Sequence, residues 1–167
     1  MRLTAGIPAW VLRGVVGCAI ALIIVLLLAQ GVSVFPAGLI AIFGGLVVLA
    51  PASPAPAFVI ITTAVCLVVV SEDPFSIGVL ALLPLVHLVH IGSAVAAVIP
   101  FTARVHLAAL RPAAIRFAVV QVIVLGLAGV AALVPKTVTP AALEIAALIA
   151  AGALAGLATR LIMKRPL

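Results

Sequence analysis

Residues 75–100 read FSIGVLALLPLVHLVHIGSAVAAVIP, and this stretch decides the fold class. It is long enough to cross a bilayer as a helix, since about 20 apolar residues suffice. Pro84 lies inside the run and predicts a kink, because proline cannot donate to the carbonyl of Leu80 and clashes with it. His87 and His90 follow on one helical face. The run therefore predicts a transmembrane helix that carries ionisable side chains.

The rest of the chain is equally apolar: 68% of its 167 residues are hydrophobic and 7% are charged. A soluble domain of this size leaves roughly a third of its unfolded surface exposed to water, so it cannot hide so much apolar surface. We predict a single integral membrane domain over residues 1–167, in the bacterial plasma (inner) membrane. The net charge of +6 comes from dispersed basic residues that form no patch, so no nucleic-acid partner is expected.

The apolar runs predict an all-α, polytopic transmembrane bundle of six spans. The predicted spans cover about residues 14–29, 34–50, 57–70, 75–100, 115–134 and 140–161. The second and third are short for a hydrocarbon core of about 30 Å, so an alternative has four full spans and a re-entrant hairpin at 34–70. Asp73 is predicted to cap the fourth span, and Pro112 to precede the fifth.

Basic residues predict the orientation. With six spans and both termini in the cytoplasm, every basic residue except Lys136 lies inside, as the positive-inside rule requires. Arg13 belongs to a short amphipathic segment that precedes the first span. Arg104, Arg111 and Arg116 are predicted to form a basic cytoplasmic connector between the fourth and fifth spans.

Few polar groups lie within the predicted spans. His87 and His90 suit either proton, metal or haem handling or a neutral pair that packs a kinked helix, and we favour packing. No metal or cofactor is predicted, because metal sites normally need three or four ligands. Gln121 is predicted to contact His90 across the fourth and fifth spans, the alternative being a bond to its own backbone. Glu144 is the carboxylate within a span, where Lys136 can pair with it.

Gly152 and Gly156 form a GxxxG motif in the sixth predicted span. Small residues at this spacing allow a close approach of two helices, which indicates helix packing. The partner helix can belong to the same chain or to another subunit.

Three pieces of the sequence carry a resemblance to a family. They are the Pro51–Pro56 loop, the helix with His87 and His90, and the run from IPFTARVH at 99–106 to Gln121. This combination resembles a group of uncharacterised actinobacterial integral membrane proteins that tend to be encoded beside MoxR-type AAA ATPases and their partners with a von Willebrand-like domain. The resemblance implies a role in a membrane-bound assembly or maturation system, without catalytic residues.

The sequence contains no phosphate-cradling loop, nucleophile elbow, zinc-spaced cluster or paired carboxylates, so we do not expect an enzyme. The favoured interpretation is an accessory or scaffold subunit that contacts lipid and other membrane subunits, or a second copy of itself. The alternative is a small proton-coupled transporter or channel that uses His87, His90 and Glu144.

Overall fold

The computed structural model of the chain describes residues 6–71, 73 and 75–133. The described helices belong to one compact unit that ends at Ala132. Several predicted features lie outside the described residues: Lys136, the sixth span, Glu144, Gly152 and Gly156. The single membrane domain over residues 1–167 therefore stays a prediction.

Five helices make up this unit, and the all-α prediction is confirmed for the described residues. They are α1 (Ala9–Ala29), α2 (Val34–Leu49), α3 (Ala55–Val70), α4 (Ile77–Val98) and α5 (Leu107–Ala132). Three of them, α1, α4 and α5, are long and apolar enough to cross a membrane. The other two, α2 and α3, are apolar but have only 16 residues each.

Helices α1 to α4 form a four-helix bundle in which successive helices run in opposite directions. α1 packs between α2 and α4, α3 closes the bundle against α2 and α4, and α5 lies on α4. The fully buried side chains include Ile23, Leu27, Ile40, Val59 and Leu82, at least one from each of the four helices. We call the end where α1, α3 and α5 begin and α2 and α4 finish the arginine end, because Arg13 and Arg104 lie there.

A short ladder of two strands also lies at the arginine end. β1 (Ile7–Pro8) pairs antiparallel with β2 (Arg104–Val105), with Ile7 opposite Val105. Gly6 permits this close approach, since a Cβ atom there would lie 2.9 Å from the carbonyl oxygen of Val105. Strands of two residues leave no readable periodicity, so the sequence did not predict this ladder. It ties the start of α1 to the segment between α4 and α5.

Two glycines set how closely the helices of the bundle approach. A Cβ atom on Gly44 of α2 would lie 2.6 Å from Cγ2 of Ile20, and one on Gly92 of α4 would lie 2.6 Å from Cγ2 of Val16. Both distances are far below van der Waals contact. Helices in lipid associate through such packing, so these glycines let α2 and α4 seat against α1.

The cap of α4 differs from its prediction. Ser76, and not Asp73, caps the helix, with its hydroxyl oxygen accepting from the backbone N–H of Val79 at 3.4 Å. Asp73 instead accepts from the N–H of Phe75 at 3.1 Å through its carboxylate, which stabilises the turn before the helix. Both residues suit a cap, and the local turn places the serine at the helix start.

The start of α5 also differs from its prediction. The helix begins at Leu107 and continues through Pro112, so Arg111 and Arg116 are helical and only Arg104 lies in the connector. A proline inside a helix leaves one carbonyl without its usual donor. The missing hydrogen bond lies in the first turns of α5, where few backbone hydrogen bonds precede it. A proline is a frequent but not an obligatory helix boundary.

Candidate functional site

Gln121 on α5 contacts His87 on α4. The amide nitrogen of Gln121 lies 2.6 Å from Nδ1 of His87. The predicted contact between the fourth and fifth spans through Gln121 is therefore confirmed, but His90 as its partner was wrong. The two helices are antiparallel, and their register brings Gln121 level with His87. His90 lies almost one turn nearer the arginine end.

The imidazole of His87 is held by two residues of α5. Its ring stacks on Phe117, with the centroids 5.0 Å apart and the planes inclined by 28°. Phe117 and Gln121 are four residues apart and so share one face of α5. The imidazole and the side-chain amide of Gln121 share one hydrogen bond, in which the ring nitrogen donates or accepts according to its tautomer. The Phe117 contact was not predicted, since no periodicity marks a single aromatic residue in an apolar helix.

The contact between His87 and Gln121 borders a partly open cavity of about 450 Å³ among α3, α4 and α5. Its walls are mostly aliphatic. The polar groups facing it come from Thr63, His87, His90 and Gln121. Thr63 is buried, and its hydroxyl donates to the carbonyl of Val59 at 2.8 Å, so it is satisfied within its own helix. A cavity of this size with few polar groups is typical of a site for a small apolar ligand.

Two polar groups at this cavity lack partners within the described residues. The side-chain oxygen of Gln121 is buried and accepts no hydrogen bond there. His90 is exposed, and its ring makes no hydrogen bond in the same part of the chain, although its carbonyl accepts from Ser93 at 3.0 Å. The two histidines therefore differ: His87 contacts α5, whereas the ring of His90 is accessible to a ligand in the cavity.

The described residues contain no group of three or more His, Cys, Asp or Glu side chains that could hold a metal ion. The prediction of no metal and no cofactor stays a prediction. Pro84 lies inside α4 as its position in the sequence requires. The side chains of Arg104, Arg111 and Arg116 are exposed at or near the arginine end.

Arg13 is the residue whose role the sequence analysis missed. It lies within α1 and not before it, and only 7% of its surface is exposed. Its guanidinium stacks over the ring of Phe101, 4.1 Å from the centroid. It also donates to four carbonyl groups, which are those of Val48 at 3.0 Å, Leu49 at 3.4 Å, Ala96 at 3.4 Å and Ile99 at 3.3 Å.

These carbonyls belong to the ends of α2 and α4. The last carbonyls of a helix have no partner within the helix and carry the negative end of its dipole. A buried cation is therefore compensated here by helix ends, with no carboxylate involved among the described residues. Arg13 consequently ties three helices together at one end. An arginine within an apolar run is the signal that points to this role, because such a charge needs a partner.

We expect the contact between His87 and Gln121 to stabilise the packing of α5 on α4. In a double-mutant cycle with His87→Leu and Gln121→Leu, the coupling should be about 0.6–2 kcal/mol, the range for hydrogen bonds between helices in membranes. Unfolding of the purified protein in mixed micelles, followed by circular dichroism, measures it. The same cycle with His90→Leu in place of His87→Leu is the control, and it should show no coupling. Equal coupling in both cycles would contradict the observed pairing.

The described residues thus present a cavity bordered by a few polar groups and a buried arginine at one end of the bundle. No protein-family model, no curated protein and no solved structure matches this chain.

Proposed function

We propose that the chain is a multi-pass protein of the bacterial plasma membrane with six spans and both termini in the cytoplasm. The path of α2 favours a helix that crosses the whole membrane, and it argues against the alternative of a re-entrant hairpin at 34–70. Four residues separate the end of α1 from the start of α2, and the last carbonyls of α2 accept hydrogen bonds from Arg13 near the start of α1. It therefore runs alongside nearly the whole of α1.

Helices as short as α2 and α3 can cross a bilayer that becomes thinner around them. Sixteen residues rise about 24 Å, against about 30 Å for an average hydrocarbon core. Thinning of the bilayer around a short helix costs only fractions of a kcal/mol per Å. In the proposed orientation the arginine end faces the cytoplasm, which follows the positive-inside rule.

We infer that the protein acts as a non-enzymatic accessory or scaffold subunit of a larger membrane complex, or associates with itself. The observation that carries this proposal is the exposure of α5. None of its 26 residues is buried in the described unit. Residues such as Val122, Leu127 and Val130 are 73%, 65% and 64% exposed. A long apolar helix with an open face offers surface for lateral contact with another helix.

Two further features agree with a scaffold. The terminal guanidinium nitrogens of Arg13, the hydroxyl of Thr63 and Nδ1 of His87 make hydrogen bonds within the bundle, which favours a rigid structure. The exposed Arg104 and Arg111 remain available to a partner at the arginine end. The resemblance to membrane proteins encoded beside AAA ATPases points to a membrane-bound assembly or maturation system.

Purification of the full chain in mild detergent tests the scaffold proposal. We expect a stoichiometric complex, and Val122→Trp with Leu127→Trp should dissociate it by altering the open face of α5. Leu22→Trp on the exposed face of α1 is the matched control, because Leu22 is also 53% exposed and should leave the complex intact. Light scattering of the purified species measures the mass. A monomeric wild-type chain without a partner would contradict the proposal.

Replacing both His87 and His90 by leucine should leave the scaffold complex assembled, because neither side chain lies on the open face. Both histidines belong to α4 and line the 450 Å³ cavity, and neither is part of the outer surface of α5. The expected loss is limited to about 1 kcal/mol of stability from the bond with Gln121. Size-exclusion chromatography of the purified double variant checks it. Complete loss of the complex would show that the two histidines contribute to assembly and would contradict this expectation.

One observation favours a small proton-coupled transporter or channel as the second candidate. The 450 Å³ cavity brings together His87, the open ring of His90 and the unpartnered oxygen of Gln121. Ionisable groups within spans often mark ion or proton pathways. The sequence offers Glu144 as a further group of this kind, outside the described residues. Proteoliposomes with an internal pH dye separate the two candidates. Flux that disappears with His87→Leu and His90→Leu supports the transporter, and absence of flux in the wild type excludes it.

A further inference from the structure

A second cleft, of about 310 Å³, lies between α4 and α5 on the side nearer the arginine end. α4 contributes an aliphatic wall that includes Ile91, Val95 and Val98. α5 contributes Ala113 and Arg116. The cleft therefore combines an apolar wall with one cationic side chain.

Among the residues that the structure describes, no anionic side chain lies near Arg116. Asp73, the one carboxylate in the described part of the chain, precedes α4 at the opposite end of the bundle. Arg116 is exposed and makes no ion pair with any residue that the structure describes. It lies nine residues after Leu107, about 14 Å along an apolar helix. A cation on an apolar helix is stabilised when its long side chain reaches the headgroup layer or an anion.

We propose that this cleft binds an anionic phospholipid. The phosphate accepts hydrogen bonds from the guanidinium of Arg116, which matches phosphate oxygens in a bidentate manner. The upper part of an acyl chain lies against Ile91 and Val95, and the small side chain of Ala113 leaves room for it. His90 borders the deeper end of the cleft and provides a polar edge there. Basic pockets between transmembrane helices bind anionic headgroups by this chemistry.

The occupant is a lipid and not free phosphate, because most of the lining is aliphatic. Free phosphate would gain only the contact with Arg116 and would leave the apolar wall uncovered. A phospholipid satisfies both the charge and the wall, and it is present at high local concentration around α4 and α5. This inference needs the two helices to lie in a bilayer, but it does not depend on the scaffold role.

Native mass spectrometry of the full chain, titrated with dioleoyl-phosphatidylglycerol in detergent, tests the proposal. We expect one phosphatidylglycerol to bind preferentially over dioleoyl-phosphatidylcholine. Arg116→Gln should weaken this binding about fivefold, the factor that corresponds to about 1 kcal/mol per basic side chain. Ala113→Leu should weaken it by filling the cleft without changing the charge. Arg111→Gln is the matched control, since Arg111 is an exposed arginine of the same helix that does not line the cleft.

Several outcomes would overturn the proposal. Equal weakening by Arg116→Gln and Arg111→Gln would show diffuse electrostatic attraction and no site. Equal binding of phosphatidylcholine would remove the role of the anionic headgroup. Displacement of the bound lipid by millimolar inorganic phosphate, or unchanged binding in Ala113→Leu, would show that the apolar wall takes no part. Circular dichroism of each variant verifies that the helices remain folded.

Discussion

Arg13→Met is expected to lower the free energy of unfolding by about 3 kcal/mol, since hydrogen bonds to a charged group contribute about 1.5–3 kcal/mol. The substitution keeps an unbranched apolar stem but removes the guanidinium and every donor. Four carbonyls at the ends of α2 and α4 then lose their shared partner. Phe101 also loses the cation over its ring. Unfolding in mixed micelles, followed by circular dichroism, measures the change.

Two variants separate this effect from a change of charge. Arg13→Lys keeps the charge but presents a compact ammonium group in place of a planar fork, so it should retain only part of the stability. Arg104→Met removes an exposed arginine at the same end and should change the stability by less than about 0.5 kcal/mol. If Arg13→Met were as stable as Arg104→Met, the guanidinium would not join the helix ends as described.

Gly92→Ala is the second substitution with a large expected effect. The added methyl group would lie 2.6 Å from Cγ2 of Val16, so α4 must move away from α1. Overpacking of this kind costs about 1–3 kcal/mol. Gly44→Ala should cost a similar amount through Ile20, where the corresponding distance is also 2.6 Å. The same unfolding measurement in micelles reports both.

Gly45→Ala is the matched control, because nothing lies within 4 Å of a Cβ atom at that position. It should be neutral or stabilising by up to about 1 kcal/mol, since alanine favours a helix more than glycine does. Val16→Ala removes the methyl group that Gly92→Ala would meet, so the double variant should be more stable than Gly92→Ala alone. Failure of this rescue, together with a destabilised Gly45→Ala, would show that helix propensity and not close packing determines the result.

Parts of the candidate site could be predicted from the sequence and parts could not. Periodicity places His87 and His90 on one face of α4. Counting residues from the predicted ends of the fourth and fifth spans places Gln121 at a depth similar to that of the two histidines. A difference of one turn between His87 and His90 is finer than such counting resolves, so the partner of Gln121 was predicted wrongly. Phe117 was missed because its importance arises only from the neighbouring helix.

The helix boundaries show a similar division. Pro112 was read as a boundary, yet α5 continues through it because a single lost backbone bond near a helix start is tolerated. Asp73 and Ser76 are both suitable caps, and the turn between α3 and α4 selects the serine. Local sequence offers each of these options, and the geometry of the neighbouring segments decides among them.

Hydrophobicity is a property of the residues themselves, so the sequence alone was sufficient for the all-helical class and for helices apolar enough to cross a membrane. Contacts between helices depend on the register and the distance of the two helices, and neither is a property of a single residue. The tertiary structure therefore decided that Arg13 is buried among the carbonyls of two helix ends. It likewise decided that a side chain on Gly44 or Gly92 would meet α1 and that His87 is the partner of Gln121.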